Sequence, residues 1–357
     1  MALATALALL LLGTAFTAPV SAAHVACGQV ITESTTLHSD VGPCPGDGLI
    51  VAADGVVLDL NGHEVRGVNG AEETAGVVLR RVSGVTVTNG TVTGFDAGVV
   101  VGAGGANVVR GMTVVDNVGN SLACNLGDGI AVFNSQQNLI TDNTVARNGP
   151  FSGISLVGPS TGNNVKANQV RDNNLPTVYC GNSRQDMGIR LEGPGASGNM
   201  VDANVVERNG LAGIAVHSTV RGEPTNDANT ISDNTVAHNG VGVGGYGIAM
   251  LPNGPLGPVV RSSGNTVRGN TVVANTTDGI HVPRGSTDNA LVANQGSGNV
   301  RYDGADLNDQ CDDNSWVRNA FVTVSQPCVA GKQGPKPKQQ QGDETVTVTT
   351  RAMPDLP

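Results

Sequence analysis

Between residues 199 and 216 the chain reads NMVDANVVERNGLAGIAV, with Asn199, Asn204 and Asn209 five residues apart and aliphatic residues between them. Five residues per step is too short for helix turns carrying one apolar stripe, and it fits a three-residue strand plus a corner, repeated. Asn suits such a corner because it tolerates the left-handed backbone region and hydrogen-bonds locally through its amide. A glycine-led strand follows, with Gly213 and Ile214 at its start.

The same frame opens at Asn138, Asn163, Asn199, Asn229, Asn265 and Asn289, so successive starts differ by 25, 36, 30, 36 and 24 residues. A degraded copy starts at Asn107, has Met112 at the middle position and closes at Asn117. Nearly every frame is followed by a Gly-Ile strand, as at Gly188 and Ile189 or Gly279 and Ile280. Repeats of this period mean a solenoid, in which one loop varies while the strands stay constant. Three short strands per turn with little helix signal predict an all-β fold, a parallel β-helix of about ten coils. The Leu-x-x-Leu-x-Leu core of a leucine-rich repeat is missing, as is the calcium-binding Gly-Gly-x-Gly-x-Asp nonapeptide.

Composition agrees: 50 glycines and only 3% aromatic residues suit a narrow interior of stacked aliphatic side chains, with glycine at the corners. The opening 31–67 adds strands at 48–51 and 56–60, with turns at Asp54 and Gly55 and at Asn61 and Gly62. Two further short strands are expected at 85–87 and 91–93, followed by one at 98–101. The wording GLIVAADGVVLDLNGHEVRG, together with the Asn and Gly-Ile repeats, resembles secreted right-handed parallel β-helix proteins of the pectate-lyase-like superfamily. That resemblance covers about 27–328. It implies the right-handed form of the fold and a chain that binds carbohydrate or cleaves it. One branch of those relatives is the periplasmic β-helix subunit used in nitrous-oxide reductase maturation. His63 belongs to a turn recurrent in the family and reads as structural. The closing segment, with Cys311, Asn314, Trp316, Asn319, Phe321 and Cys328, also resembles the end of such proteins, and Trp316 and Phe321 are expected to cover the last coil.

Residues 1–23 read as a signal peptide cleaved near Ala22 or Ala23: an apolar run ends in small residues and is too short for a confident membrane span. A lipoprotein anchor at Cys27 is disfavoured by His24, which stands where a lipobox wants Leu. The β-helix is expected over 24–330, and the Lys-, Pro- and Gln-rich 331–357 reads as a disordered tail. Six cysteines without a Cys-x-x-Cys pair point to disulfides in an exported protein. Spacing favours Cys27 with Cys44 and Cys311 with Cys328 as staples at the two ends, and Cys124 with Cys180 between loops. A net charge of −10 argues against a nucleic-acid partner, since no basic stripe exists to neutralise phosphates. It also disfavours polyanionic sugars unless metal or local arginines offset the repulsion.

In a Gly-Ile strand the Ile points inward, so alternate residues after it face out. These outward positions are mostly bland, but Arg190 and Glu192 share one coil and His217 follows above Glu192 on the next. Asp186 precedes that strand, and Arg221 and Glu223 follow His217. Such a set suits a polysaccharide enzyme, with a carboxylate-paired His as base and an Arg holding a uronate carboxylate. The competing reading is a surface salt bridge on a solvated face. Asp278, His281, Arg284 and Asp288 form a second candidate. Asp306, Asp309, Asp312 and Asp313 offer oxygen ligands for calcium but follow no EF-hand pattern, so a solvated acidic cap is the stronger reading. The sequence requires no cofactor.

The catalytic signatures of the resembling enzymes are absent: no aspartate cluster of pectate lyases on the repeats, no polygalacturonase set, and no Asp-Pro-His-Asp of mannuronan epimerases. The expectation is a monomeric secreted β-helix that binds or modifies extracellular polysaccharide, as a lyase, glycoside hydrolase or epimerase if it is catalytic. The alternative is a non-catalytic structural rod of the cell envelope.

Overall fold

The computed structural model describes residues 24–69, 73–119, 126–175, 187–193, 195–217, 226–242, 244–251 and 262–331. The leader, the tail, Asp186, Arg221, Glu223 and the Cys124 with Cys180 pairing lie outside these residues. Every strand pairing among them is parallel, and each coil stacks on the one before, which makes a parallel β-helix. The Gly-Ile strands and their equivalents at the two ends form one sheet of 11 strands, from Gln29–Ile31 to Tyr302–Asp306, in line with about ten coils. The two strands after each Gly-Ile strand stack into a second and a third sheet.

Aliphatic alternation places the core. Ile189, Ile214 and Ile248 of the first sheet stack inward, opposite Val201, Ile231 and Val267 of the second and Val206, Val236 and Val272 of the third, all buried. Where the third sheet reaches Gly296, the partner on the next coil is Phe321, whose ring takes the space that a side chain at 296 would fill.

The asparagines line the corners as three continuous ladders. Asn204 shows the repeated arrangement: its Oδ1 accepts from the backbone N–H of Asn168 at 2.9 Å and from Asn168 Nδ2 at 3.0 Å. Its own Nδ2 donates to the Val165 carbonyl at 2.9 Å and to Asn234 Oδ1 at 3.0 Å. Each buried amide is thereby satisfied from the coils on both sides, as buried polar groups require. The middle ladder starts at Asn143, which accepts the Met112 N–H at 2.9 Å.

Three local expectations are corrected. The left-handed corner residue is the one before the Asn, such as Ala203 (φ 54°), Arg208 (φ 53°) or Asp233 (φ 54°). The Asn side chain has to point inward to join its ladder, so its outward-facing neighbour takes the bend. The glycine of each Gly-Ile strand is needed for close approach and not for a corner: a Cβ at Gly213 would lie 2.4 Å from Val236 Cγ1 and 2.7 Å from Asn239 Nδ2. The two short strands expected around Gly90 are one strand, Thr86–Thr93, and Val108–Val115 is likewise continuous, so the second and third sheets fuse on these coils.

Both ends are closed by disulfides at Cys27–Cys44 and Cys311–Cys328. Trp316 and Phe321 belong to the last coil itself, paired with Leu291 and Gly296, and meet edge to face at 6.0 Å. The short 3-10 turn Pro327–Ala330 lies beyond them, with Val329 buried against the same core.

Candidate functional site

The outward positions of the first sheet are where the expected chemistry lies, and they are not a solvated face. Ala131, Ser155, Arg190, Ala215, Ala249 and His281 are all buried. Outward apolar side chains of adjacent coils cover one another, with Leu126 and Phe133 packed on Ala75, Val78, Ala97 and Val100. Leu211, Tyr246 and Leu251 pack in the same way around Met187, Ala212 and Ala215. Two polar clusters interrupt this apolar layer.

The first is built on the strand Met187–Glu192, whose alternation turns Ile189 and Leu191 inward and Arg190 and Glu192 outward. Arg190 ion-pairs with Glu192 and, at 3.4 Å, with Asp128. The Phe151 ring centroid lies 5.4 Å from the guanidinium carbon. The next coil registers His217 against Glu192, and Nδ1 stands 3.8 Å from Oε1. That nitrogen is buried and has no hydrogen-bond partner among the described residues. Burial, with the Arg190 charge beside it, lowers the His217 pKa to about 4, so the imidazole is neutral at pH 7. Burial pushes the Asp128 carboxyl up, against the pull of Arg190 and of the Ser152 N–H that it accepts at 2.8 Å. The expected surface salt bridge is thus a buried one, in which Arg190 has two carboxylates within reach.

The second cluster joins Asp278 and His281, as expected, and adds two residues. His281 Nδ1 and Asp278 Oδ2 are 2.8 Å apart. Arg301 donates through Nε to Asp278 Oδ1 at 2.8 Å and through Nη2 to Oδ2. The Tyr246 ring stacks on the imidazole at 4.3 Å and an interplanar angle of 20°. Burial pushes the Asp278 carboxyl up, but the hydrogen bonds from Arg301 and His281 outweigh it and hold the group below the usual carboxylate range. An ionised Asp278 accepts the Nδ1 proton and leaves the imidazole lone pair on Nε2, a base held in one orientation. Burial and the Asp278 charge raise the Tyr246 phenol. Arg284 and Asp288 do not join the cluster: both are exposed in the turn that follows, and Asp288 accepts from Thr287 Oγ1.

Sequence reasoning missed Asp128 and Arg301, and it offered Tyr246 only as one of the few aromatic side chains able to stack on a sugar. A signal existed for the first, since Asp128-Gly129-Ile130 repeats the Asp278-Gly279-Ile280 triplet. Arg301 sits at a corner, where local pattern says nothing about its partner.

Asp306 faces inward and accepts from Trp316 Nε1 at 2.9 Å, Asn308 Nδ2 at 2.8 Å and Asn314 Nδ2 at 3.1 Å. It anchors the end of a ladder, while Asp309, Asp312 and Asp313 are exposed. Among the described residues no three His, Cys, Asp or Glu side chains converge as a metal-ligating group. His63 pairs with Asp40 at 3.2 Å.

Solved structures that share this fold include a phage tailspike, an epimerase and a lyase. The tailspike of E. coli bacteriophage HK620 in complex with a pentasaccharide is 15% identical with TM-score 0.52, covering 83% of this chain and 53% of that one. A periplasmic alginate epimerase is 12% identical with TM-score 0.50, over 83% and 76% of the two chains. A pectate lyase is 11% identical with TM-score 0.50, over 79% and 71%. The chain spans about half the length of the tailspikes it matches. No protein of curated function matches the sequence. Residues 48–194 and 184–296 match the profile described as "Right handed beta helix region", and the chain belongs to that family of right-handed parallel β-helices.

Proposed function

We propose that the protein binds or modifies an extracellular polysaccharide along the outer face of its first sheet. One observation carries the reading: an otherwise apolar face holds two organised sets of acid, base and guanidinium groups. The His217 and His281 strands are three coils along from Arg190 and one another at most, so steps of about 4.8 Å place the sets within ~14 Å on one line. An extended glycan lying along the rod axis spans that distance. The neighbours named above, one in complex with a pentasaccharide and two named for an epimerase and a lyase of polysaccharides, have the same fold, which supports the class and not the residues. Two end disulfides fit an oxidising compartment, as the proposed export requires. Among the described residues no helix is long and apolar enough to cross a membrane.

The purified protein is mixed with a panel of neutral and uronate polysaccharides, and co-sedimentation and new chain ends are measured. Binding or turnover on at least one polymer is expected, with affinity weakened about tenfold in Glu192→Gln, which keeps side-chain shape while removing a charge, and in His217→Gln, which removes a base. Neither binding nor turnover across the panel overturns the reading and leaves the rod.

A further inference from the structure

At the last coil the first sheet is closed by the chain itself: the Gly304 N–H donates to the Thr323 carbonyl at 3.2 Å, and the Gly304 carbonyl accepts the Ser325 N–H at 3.1 Å. The second and third sheets stay open there. Ser315 N–H donates to the Asn289 carbonyl at 2.8 Å, and the Val317 carbonyl accepts the Ala293 N–H at 2.9 Å. Alternate residues of a strand address opposite neighbours, so the N–H and C=O of Trp316 point the other way, where no described strand stands. Phe321 is placed alike, because the Ala320 N–H donates back to the Asn294 carbonyl. The ladders mark the same spot. Two of them end on carboxylates: Asn314 Nδ2 donates to Asp306 Oδ2 at 3.1 Å, and Asn299 Nδ2 to Asp303 Oδ1 at 2.7 Å. The middle one ends on Asn319, whose Nδ2 donates to the Leu291 carbonyl at 2.8 Å and, among the described residues, to no onward acceptor. Asn294 before it has one, in Asn319 Oδ1. Val322 and Val300 are the most exposed large apolar side chains described, at 78% and 76%, and both lie at this end, where Val317 is exposed too. Unpaired backbone, an amide short of one acceptor and bare valines suit the addition of another strand.

The sequence supplies an occupant. Gly331 leaves the last 3-10 turn beside this edge, since a Cβ there would stand 3.7 Å from the Trp316 carbonyl oxygen. Beyond it come 13 residues rich in Lys, Gln, Gly and Pro, then Thr-Val-Thr-Val-Thr at 345–349, an alternating β-branched run. We propose that the open edge is a strand-acceptor site whose occupant is the chain's own segment 345–349, added as one more strand beside Ser315–Val317. A carbonyl of the segment meets the Trp316 N–H, and Val346 and Val348, which share one face, cover Val317. The intervening residues reach about 40 Å, ample for a return to a strand that lies where the chain departs. The tether also holds the segment near the edge at an effective concentration of about millimolar. Charge selects the same occupant. Lys332, Lys336 and Lys338 precede the segment with no acid until Asp343, and Asp309, Asp312 and Asp313 are exposed just ahead of Ser315. A second copy stacked end on end would instead bring two sets of those aspartates together. The docked segment covers an edge that otherwise templates pairing with another chain.

The test measures residue-resolved amide exchange on the full chain and on the double variant Val346→Pro with Thr347→Pro, each at a low and a high protein concentration. Adjacent prolines remove an N–H from the paired side in either register. The Trp316 N–H should exchange at least about tenfold faster in the variant, while the Ser315 N–H, bonded to Asn289, stays within about twofold. A synthetic peptide of residues 343–351, added in excess, should restore slow exchange at Trp316. Replacing Lys332, Lys336 and Lys338 together by Gln should speed that exchange about threefold, and about 0.5 M salt should erase the difference. Circular dichroism confirms that the variants keep the β-helix, and Val346→Asp with Val348→Asp, which leaves the backbone able to pair but charges its apolar face, serves if the prolines do not fold. Equal exchange at Trp316 in the parent and the folded variant overturns the inference. Protection that rises with protein concentration also overturns it, and hands the edge to a second copy.

Discussion

At His217 a buried imidazole lies beside a guanidinium, and both effects oppose its gaining a proton. Its native pKa is about 4 against about 6.5 unfolded, so as pH falls the unfolded chain binds the proton first. The group's contribution to stability is full above pH 6.5, declines between 6.5 and 4, and levels off below 4 after a loss of about 3 kcal/mol. Asp128 acts in the opposite sense, because a raised native pKa means that the folded state takes up a proton first there. Urea midpoints at pH 7 and pH 4.5 should therefore fall less in His217→Gln than in the parent chain. Equal falls in the two proteins would show that His217 is not held neutral. The sequence displays His217 and Glu192 as outward neighbours; it does not display their burial, which depends on what the adjacent coils carry at the same positions.

Strand by strand, the fold is set by two local demands that repeat on every coil. The Asn ladders need an amide at each corner, and the first sheet needs a residue without a side chain where it passes the third ladder. Gly213→Ala places a Cβ against Val236 Cγ1, Asn239 Nδ2 and the Gly247 carbonyl at 2.4, 2.7 and 2.8 Å. A branched core residue, a ladder amide and backbone cannot all give way, so a loss of about 1–3 kcal/mol is expected in chemical denaturation. A variant as stable as the parent would mean that the stacked glycines serve only the turn. The period of five was legible because each Asn meets its equivalents on the neighbouring coils through identical bonds. The identity of the left-handed residue was not legible, since Ala203, Arg208 and Asp233 have no propensity for that region in common. Their conformation follows from the inward aim of the Asn that comes next.

For the molecule as a whole, a rod whose coils contact only their neighbours depends on its ends. Cys311–Cys328 joins residues 17 apart in sequence over the last coil, where Trp316, Phe321 and Val329 complete the core. Replacing both cysteines by serine should destabilise the chain by about 2–4 kcal/mol. Amide exchange should then rise first over 302–331, because unpairing starts at a freed edge. Uniform exchange along the rod would contradict this end-first opening. The sequence by itself determined the cross-section of the rod: three strands, inward aliphatics and corner amides, each specified within one repeat and reinforced by the next. The end staples were readable from cysteine spacing. Only the tertiary structure decided which outward side chains meet. Loop lengths that vary between coils set which residues share a place on the face, so Arg190 reaches Asp128, 62 residues earlier, and Arg301 reaches Asp278, 23 residues earlier. No local periodicity carries those separations, because they are fixed by stacking and not by the chain's own repeat.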